Sequence, residues 1–120
     1  MCNKSKNKST GNQGEELVAE YLTKLKYKIL ARNLRLAVGE IDILVQDKKT
    51  IVIVEVKTVR GEGFGLAQEL VRYKKQEKLK LLARALMQKY PNSALRIDVI
   101  GVDLSDPVVP KFEHLINAVN

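Results

Sequence analysis

The stretch from Gly39 to Thr58, GEIDILVQDKKTIVIVEVKT, constrains this chain more than any other. Isoleucine and valine dominate both sides of a polar turn, which is the pattern of a buried β-hairpin. Paired positions in an antiparallel hairpin have a constant sum of residue numbers. A sum of 97 sets Ile43 against Val54, Leu44 against Ile53 and Val45 against Val52, and it also opposes Ile41 to Val56, Asp42 to Glu55 and Glu40 to Lys57. A sum of 96 opposes Ile41 to Glu55 and Asp42 to Val54, mixing charge with apolar surface on both faces. A one-residue slip moves every side chain to the other face, so the hydrophobic pattern selects the first register. Lys48-Lys49 lacks the Asn-Gly chemistry of a tight primed turn, which favours a four-residue loop from Asp47 to Thr50 with the same parity.

That register has a chemical consequence. Opposed residues share a face, with Cβ atoms roughly 4.5–5.5 Å apart, and residues i and i+2 share it too. Glu40, Asp42, Glu55 and Lys57 therefore gather at one end of a face whose other members, Leu44, Ile51 and Ile53, are core. Two neighbouring carboxylates resist joint ionisation, and a divalent cation relieves the repulsion. Oxygen-only donors suit a hard ion such as Mg²⁺, with Mn²⁺ as a substitute. Such an ion activates water and offsets charge growing on a phosphate. Lys57 is placed to steady the nucleophile or the phosphoryl oxygens. The set describes metal-dependent phosphodiester hydrolysis. The same residues also fit a plainer arrangement, a Glu40–Lys57 cross-strand salt bridge at a solvated hairpin end.

The remaining sequence frames this hairpin. A length of 120 residues suits one domain with one core. The net charge of +7, from 21 Lys+Arg against 14 Asp+Glu, suggests nucleic acid as a partner, or else a lysine-rich solvated surface. Residues 1–12 read as a disordered basic tail, and 13–120 as a single domain. The tail holds the single cysteine, Cys2, and lacks the apolar segment of a signal peptide. No stretch is long and apolar enough to cross a membrane, so a cytoplasmic location is expected.

Helical spacing runs from Gln13 to Lys26, with Leu17, Val18, Tyr21, Leu22 and Leu25 on one side. Tyr27 to Leu36 reads as a strand, Leu66 to Tyr90 as a helix with a break near Arg72, and Leu95 to Leu104 as a strand. KFEHLINAVN closes the chain as a short strand or a helical turn. The expected fold is α/β, a mixed sheet flanked by helices in the order αβββαβ. Projecting the stripe of Leu79, Leu82, Ala83 and Leu86 backwards reaches Lys75 and Gln76. Either these two extend to the catalytic face, with Gln76 orienting a water or phosphate, or the stripe has simply run out. Asp98, between Ile97 and Val99, is either a supporting acid for the site or a sheet-edge charge. His114, the lone histidine, reads as a tail or surface residue.

GEIDILV followed by IVIVEVKT resembles the PD-(D/E)xK nuclease signature, and more narrowly the YraN-like family of small bacterial proteins. GEELVAEYL (14–22), ILARNLR (29–35), FG (64–65), KQ (75–76), RIDVIGV (96–102) and INA (116–118) match that family in order. The resemblance implies a restriction-endonuclease-like fold, similar to archaeal Holliday-junction resolvases and the tRNA-endonuclease-like domain. It implies Asp42 and Glu55 as metal ligands, Lys57 as the catalytic lysine and Glu15 as an accessory acid. Glu15 also fits a plain first-turn acid facing the helix dipole, and Glu16 is the alternative in register. Glu40 belongs to the motif, with a structural role open to it. The family's usual EVKTR is interrupted here by Val59, which moves a basic phosphate contact to Arg60, and Lys26 stands where the family tends to carry glycine. DNA is the expected substrate over RNA, with structured or branched DNA in view and a homodimer open by analogy with resolvases. The second reading is a nucleic-acid-binding module of nuclease-like fold with little or no turnover.

Overall fold

A computed structural model describes residues 6–59, 73–106 and 108–119. Along the chain run α1 (Lys6–Lys24), β1 (Lys28–Leu36), β2 (Gly39–Asp47), β3 (Thr50–Val59), α2 (Tyr73–Lys89), β4 (Ala94–Asp103) and β5 (Lys111–Leu115). The strands form one five-stranded sheet in the order β1-β2-β3-β4-β5. Only β3 and β4 run parallel, with α2 in the connection between them; the other neighbours are antiparallel. The closing segment is thus a strand, adding one element to the expected α/β order.

The sheet is covered on both faces. Val18 and Leu22 of α1 pack on Ile43, Val45, Val52, Val54, Ile100 and Val102. Leu79, Leu82 and Leu86 of α2 pack on Ile41, Leu44, Ile51, Ile53 and Ile97. This explains the unbroken apolar run Ile51-Val52-Ile53-Val54: a central strand buried on both sides needs no polar alternation. Fully burying one such side chain contributes about 1.5–3 kcal/mol.

Helix α1 begins at Lys6, inside the segment expected to be a disordered tail. Residues 6–12 carry no apolar periodicity, so no pattern announced the helix; adding a turn to an anchored helix costs far less than nucleating one. At its other end the chain closes a Schellman cap. Tyr27 N donates to Leu22 O at 3.0 Å and Lys26 N to Thr23 O at 2.9 Å, with Lys26 at φ 74°. That is a position glycine normally fills, which accounts for the departure noted at Lys26.

The hairpin adopts the 97 register from Ile43–Val54 to Asp47–Thr50. Its turn is two residues, not four. Lys48 takes φ 58° and its carbonyl accepts Gln46 Nε2 at 2.9 Å. The ladder between apolar strands outweighs the left-handed strain of a lysine, which is about 1–2 kcal/mol.

Candidate functional site

The regular ladder between β2 and β3 is recorded only as far as Ile43–Val54. Asp42 comes next, and its Oδ2 accepts the Val56 amide at 2.9 Å. A side chain thus takes a bond that a strand carbonyl would make in a continued ladder. The parity of β2 also changes here: Ile43 belongs to the α1-side core but Ile41 to the α2-side core. On β1, Leu34 and Arg32 face Ile41 and Ile43, and Asn33 between them sits at φ 53°. Both strands are locally distorted at Asp42. The expected opposition of Ile41 to Val56 and Asp42 to Glu55 is therefore replaced by a departure from the ladder with Asp42 bridging it.

Strand β3 stays regular, in register with β4 through Val59. Alternation then puts Glu55 and Lys57 on the face of Ile51 and Ile53. Both are half-buried, as is Asp42, whereas Glu40 is exposed. Asp42 and Glu55 are both engaged in interactions.

Helix α1 delivers the third acid. Gly14 is buried with its backbone against the Thr58 side chain, so close that a Cβ would overlap it. This contact anchors α1 beside the end of β3 that bears Lys57. One residue on, Glu15 is half-buried, and its carboxyl is held above the ordinary range. Burial is the largest cause; Arg32 and a bond with Asn33 oppose it, while Glu40 and Glu55 add to it. Glu15 lies well inside α1, which has no acid in its first turn, so the helix-dipole reading fails. Glu16, the alternative, points outward and pairs with Arg32 at 2.9 Å.

Gly39 opens β2 at φ 152°, a region that favours glycine, and the stem of Lys78 lies over it: a Cβ there would meet Lys78 Cε at 2.8 Å. Lys78, a cation that the helical pattern alone did not single out, is thereby brought to the start of β2. Gln76 is half-buried in the first turn of α2 and engaged in an interaction. Lys75 occupies the same turn, but its side chain lies outside the described residues, as does Arg60.

Asp98 belongs elsewhere. It is fully buried on the α1 side of β4 and ligated from every direction. Arg96 donates through Nε at 2.9 Å and Nη2 at 3.2 Å, the Asn117 amide donates at 2.9 Å, and His114 Nε2 lies at 2.8 Å. Arg96 reaches on to Asp47 at 3.2 Å and to the Tyr27 hydroxyl at 3.0 Å. Burial pushes the Asp98 carboxyl up, but His114, Arg96 and the Asn117 amide outweigh it and hold it below the ordinary range. The bonds to Asp98 hold the Arg96 guanidinium charged. Asp98 is thus neither a sheet-edge charge nor a neighbour of Asp42.

The expectation for His114 is corrected as well. Its side chain is 8% exposed, and Nδ1 meets the Tyr21 hydroxyl at 3.0 Å. Burial, Tyr27 and Asp98 together push the Tyr21 hydroxyl up. Tyr21 stacks on Phe112 at 4.7 Å between ring centroids.

Among the described residues no group of three or more His, Cys, Asp or Glu side chains is placed to hold a metal ion. Among the described residues no helix is long and apolar enough to cross a membrane.

The family model described as uncharacterised protein family UPF0102 matches residues 14–102, a span that holds Glu15, Asp42, Glu55, Lys57 and Asp98. A UPF0102 protein of Geobacter sulfurreducens is 41% identical over 114 residues, covering 93% of this chain and 89% of the relative. One of Dehalococcoides mccartyi is 43% identical over 113 residues, covering 92% and 93%. A third, of Rhodococcus opacus, is 36% identical over 114 residues, covering 93% and 97%.

Proposed function

This chain belongs to uncharacterised protein family UPF0102, and from that footing we propose that it is a Mg²⁺-dependent nuclease hydrolysing DNA phosphodiester bonds, with structured or branched DNA as the substrate class. One observation carries the reading. Glu15 from α1 lies near enough to Glu40 of β2 and Glu55 of β3 that both disfavour its ionised form. Those three acids come from three elements, and β2 leaves its ladder at Asp42. Such a convergence destabilises the fold unless a cation offsets it.

The donors fit that cation. All are carboxylate oxygens, which suit a hard ion and not a soft one. Asp42 and Glu55 would hold Mg²⁺, or Mn²⁺ in its place, with Glu15 as the accessory acid. Bound there, the ion supplies an activated water and neutralises charge developing on the phosphate. The chain's own groups do the remaining work. Lys57 orients the nucleophile or a phosphoryl oxygen electrostatically. The Val56 amide fixes Asp42, so this acid meets its ligand already oriented. Lys78 over Gly39 and Gln76 at the start of α2 offer donors to the phosphate backbone, and we assign Lys75 and Arg60 the same role from the sequence. The net charge of +7 favours a polyanionic partner.

The test is a panel of labelled DNA and RNA structures incubated with Mg²⁺ and Mn²⁺. Cleavage of DNA by the native chain, abolished in Lys57→Ala, is the expected result. Salt-dependent binding of the whole panel without cleavage of any member would instead favour the binding module.

A further inference from the structure

The Glu113 carboxylate on β5 has no part in the site so far. Its Oε1 is buried and finds no hydrogen-bond partner among the described residues. A buried carboxylate oxygen left without a donor is costly, so its direction calls for an explanation.

The sheet register supplies one. Gly101 pairs with Lys57 on one side and with Glu113 on the other. Lys57, Gly101 and Glu113 therefore form one row across three strands. The two charged side chains lie on the same face. Phe112 and His114, the neighbours of Glu113, both face α1, so Glu113 faces the α2 side. Lys57 shares its face with Ile51 and Ile53, which pack under α2. The central residue of the row is glycine, so no side chain of β4 stands between the ammonium and the carboxylate. Two interstrand spacings separate their Cα atoms by roughly 9.5 Å, which an extended lysine and glutamate together span.

The needs of the two groups are complementary. Lys57 is half-buried, and a nucleic acid laid over it removes further solvent from its ammonium. Glu113 carries an acceptor lacking a donor. The two are not in ion-pair contact in this structure; rotation of either long side chain along the Gly101 row closes the gap.

We propose that Glu113 is a positioning residue of the nuclease site, holding the Lys57 ammonium across Gly101 when nucleic acid is bound. This rests on the function proposed above and adds an acid from a fourth element, β5, that acts only through the lysine. The family model matches only as far as residue 102 and so does not reach it.

A double-mutant cycle tests the pairing without requiring cleavage. Thermal unfolding is measured for native protein, Lys57→Met, Glu113→Gln and the double variant, with and without a non-cleaved DNA duplex. The expected result is non-additivity of roughly 2–4 °C in the DNA complex. Additive shifts in the complex overturn the proposal whether or not the chain cuts DNA. A second variant, Gly101→Val, sets a side chain in the row and should abolish the coupling with both charges intact; coupling that persists in a folded Gly101→Val protein also overturns it. With a cleaved substrate in hand, Glu113→Gln should lower kcat about tenfold or more and leave KM unchanged. An unchanged kcat would contradict the assignment even if the nuclease reading stands.

Discussion

Two groups of carboxylates lie in this small sheet, and they are treated in opposite ways. Asp98 is wholly buried, yet two donors of Arg96, the Asn117 amide and His114 surround it, and its carboxyl is held below the ordinary range. Glu15 is only half-buried, yet its carboxyl is pushed up, in part by Glu40 and Glu55. The deeper acid is the more comfortable one. Burial alone therefore does not mark a functional charge; burial without compensation does. The Asp98 network ties α1, β4 and β5 together through Tyr21 and His114, whereas Glu15 is left facing the like charges of Glu40 and Glu55.

The contrast can be broken most forcefully at Asp98. Asp98→Ala strands Arg96 and His114, and by chemical denaturation it should cost about 3–5 kcal/mol. Because the folded carboxyl titrates low, its contribution is complete above the ordinary aspartate range near pH 4 and fades as pH falls through the lower folded value. Native protein and Asp98→Ala should thus converge in stability on acidification. Tyr21→Phe removes one link of the same network and should cost about 1 kcal/mol, with any cleavage activity intact.

Glu15→Gln should act in the opposite direction. A raised folded value means that the native state holds a proton the unfolded chain has released, so stability declines as pH climbs through that window. The variant should therefore melt a few degrees above native protein at neutral pH, with the gap closing below the ordinary glutamate range. Saturating Mg²⁺ should narrow the neutral-pH gap, because the ion relieves in native protein a repulsion on Glu15 that the variant has already lost. The smallest effect belongs to the exposed Arg32–Glu16 pair, where Glu16→Ala should change stability by under about 1 kcal/mol. Equal effects at Glu15 and Glu16 would erase the distinction between the inward and outward acid.

Much of the hairpin was legible because strand alternation is local: the apolar pattern alone specified Ile43–Val54 and the pairs beyond it toward the turn. The break at Asp42 was not, because no glycine or proline marks it; only Asn33, a residue tolerant of positive φ, hints at it from the neighbouring strand. The regular four-residue patch expected of the hairpin does not form: β2 leaves the ladder at Asp42, and α1 docks through Gly14 on Thr58. His114 misled because a lone histidine carries no sign of its partners, which lie 16 and 93 residues away in sequence. Asp98 was ambiguous for the same reason. Long-range pairing selected its role, and neither Ile97 nor Val99 encodes it.

Divalent-ion binding at Asp42 and Glu55 is the most direct test of the proposed site. Mn²⁺ binding followed by electron paramagnetic resonance, with Mg²⁺ as competitor, should detect one site on the native chain. Asp42→Ala and Glu55→Ala should each weaken it at least tenfold, while Tyr21→Phe leaves it unchanged. Affinity unaltered in both acid variants, or no binding to the native chain, would contradict the claim that these carboxylates converge to hold a metal.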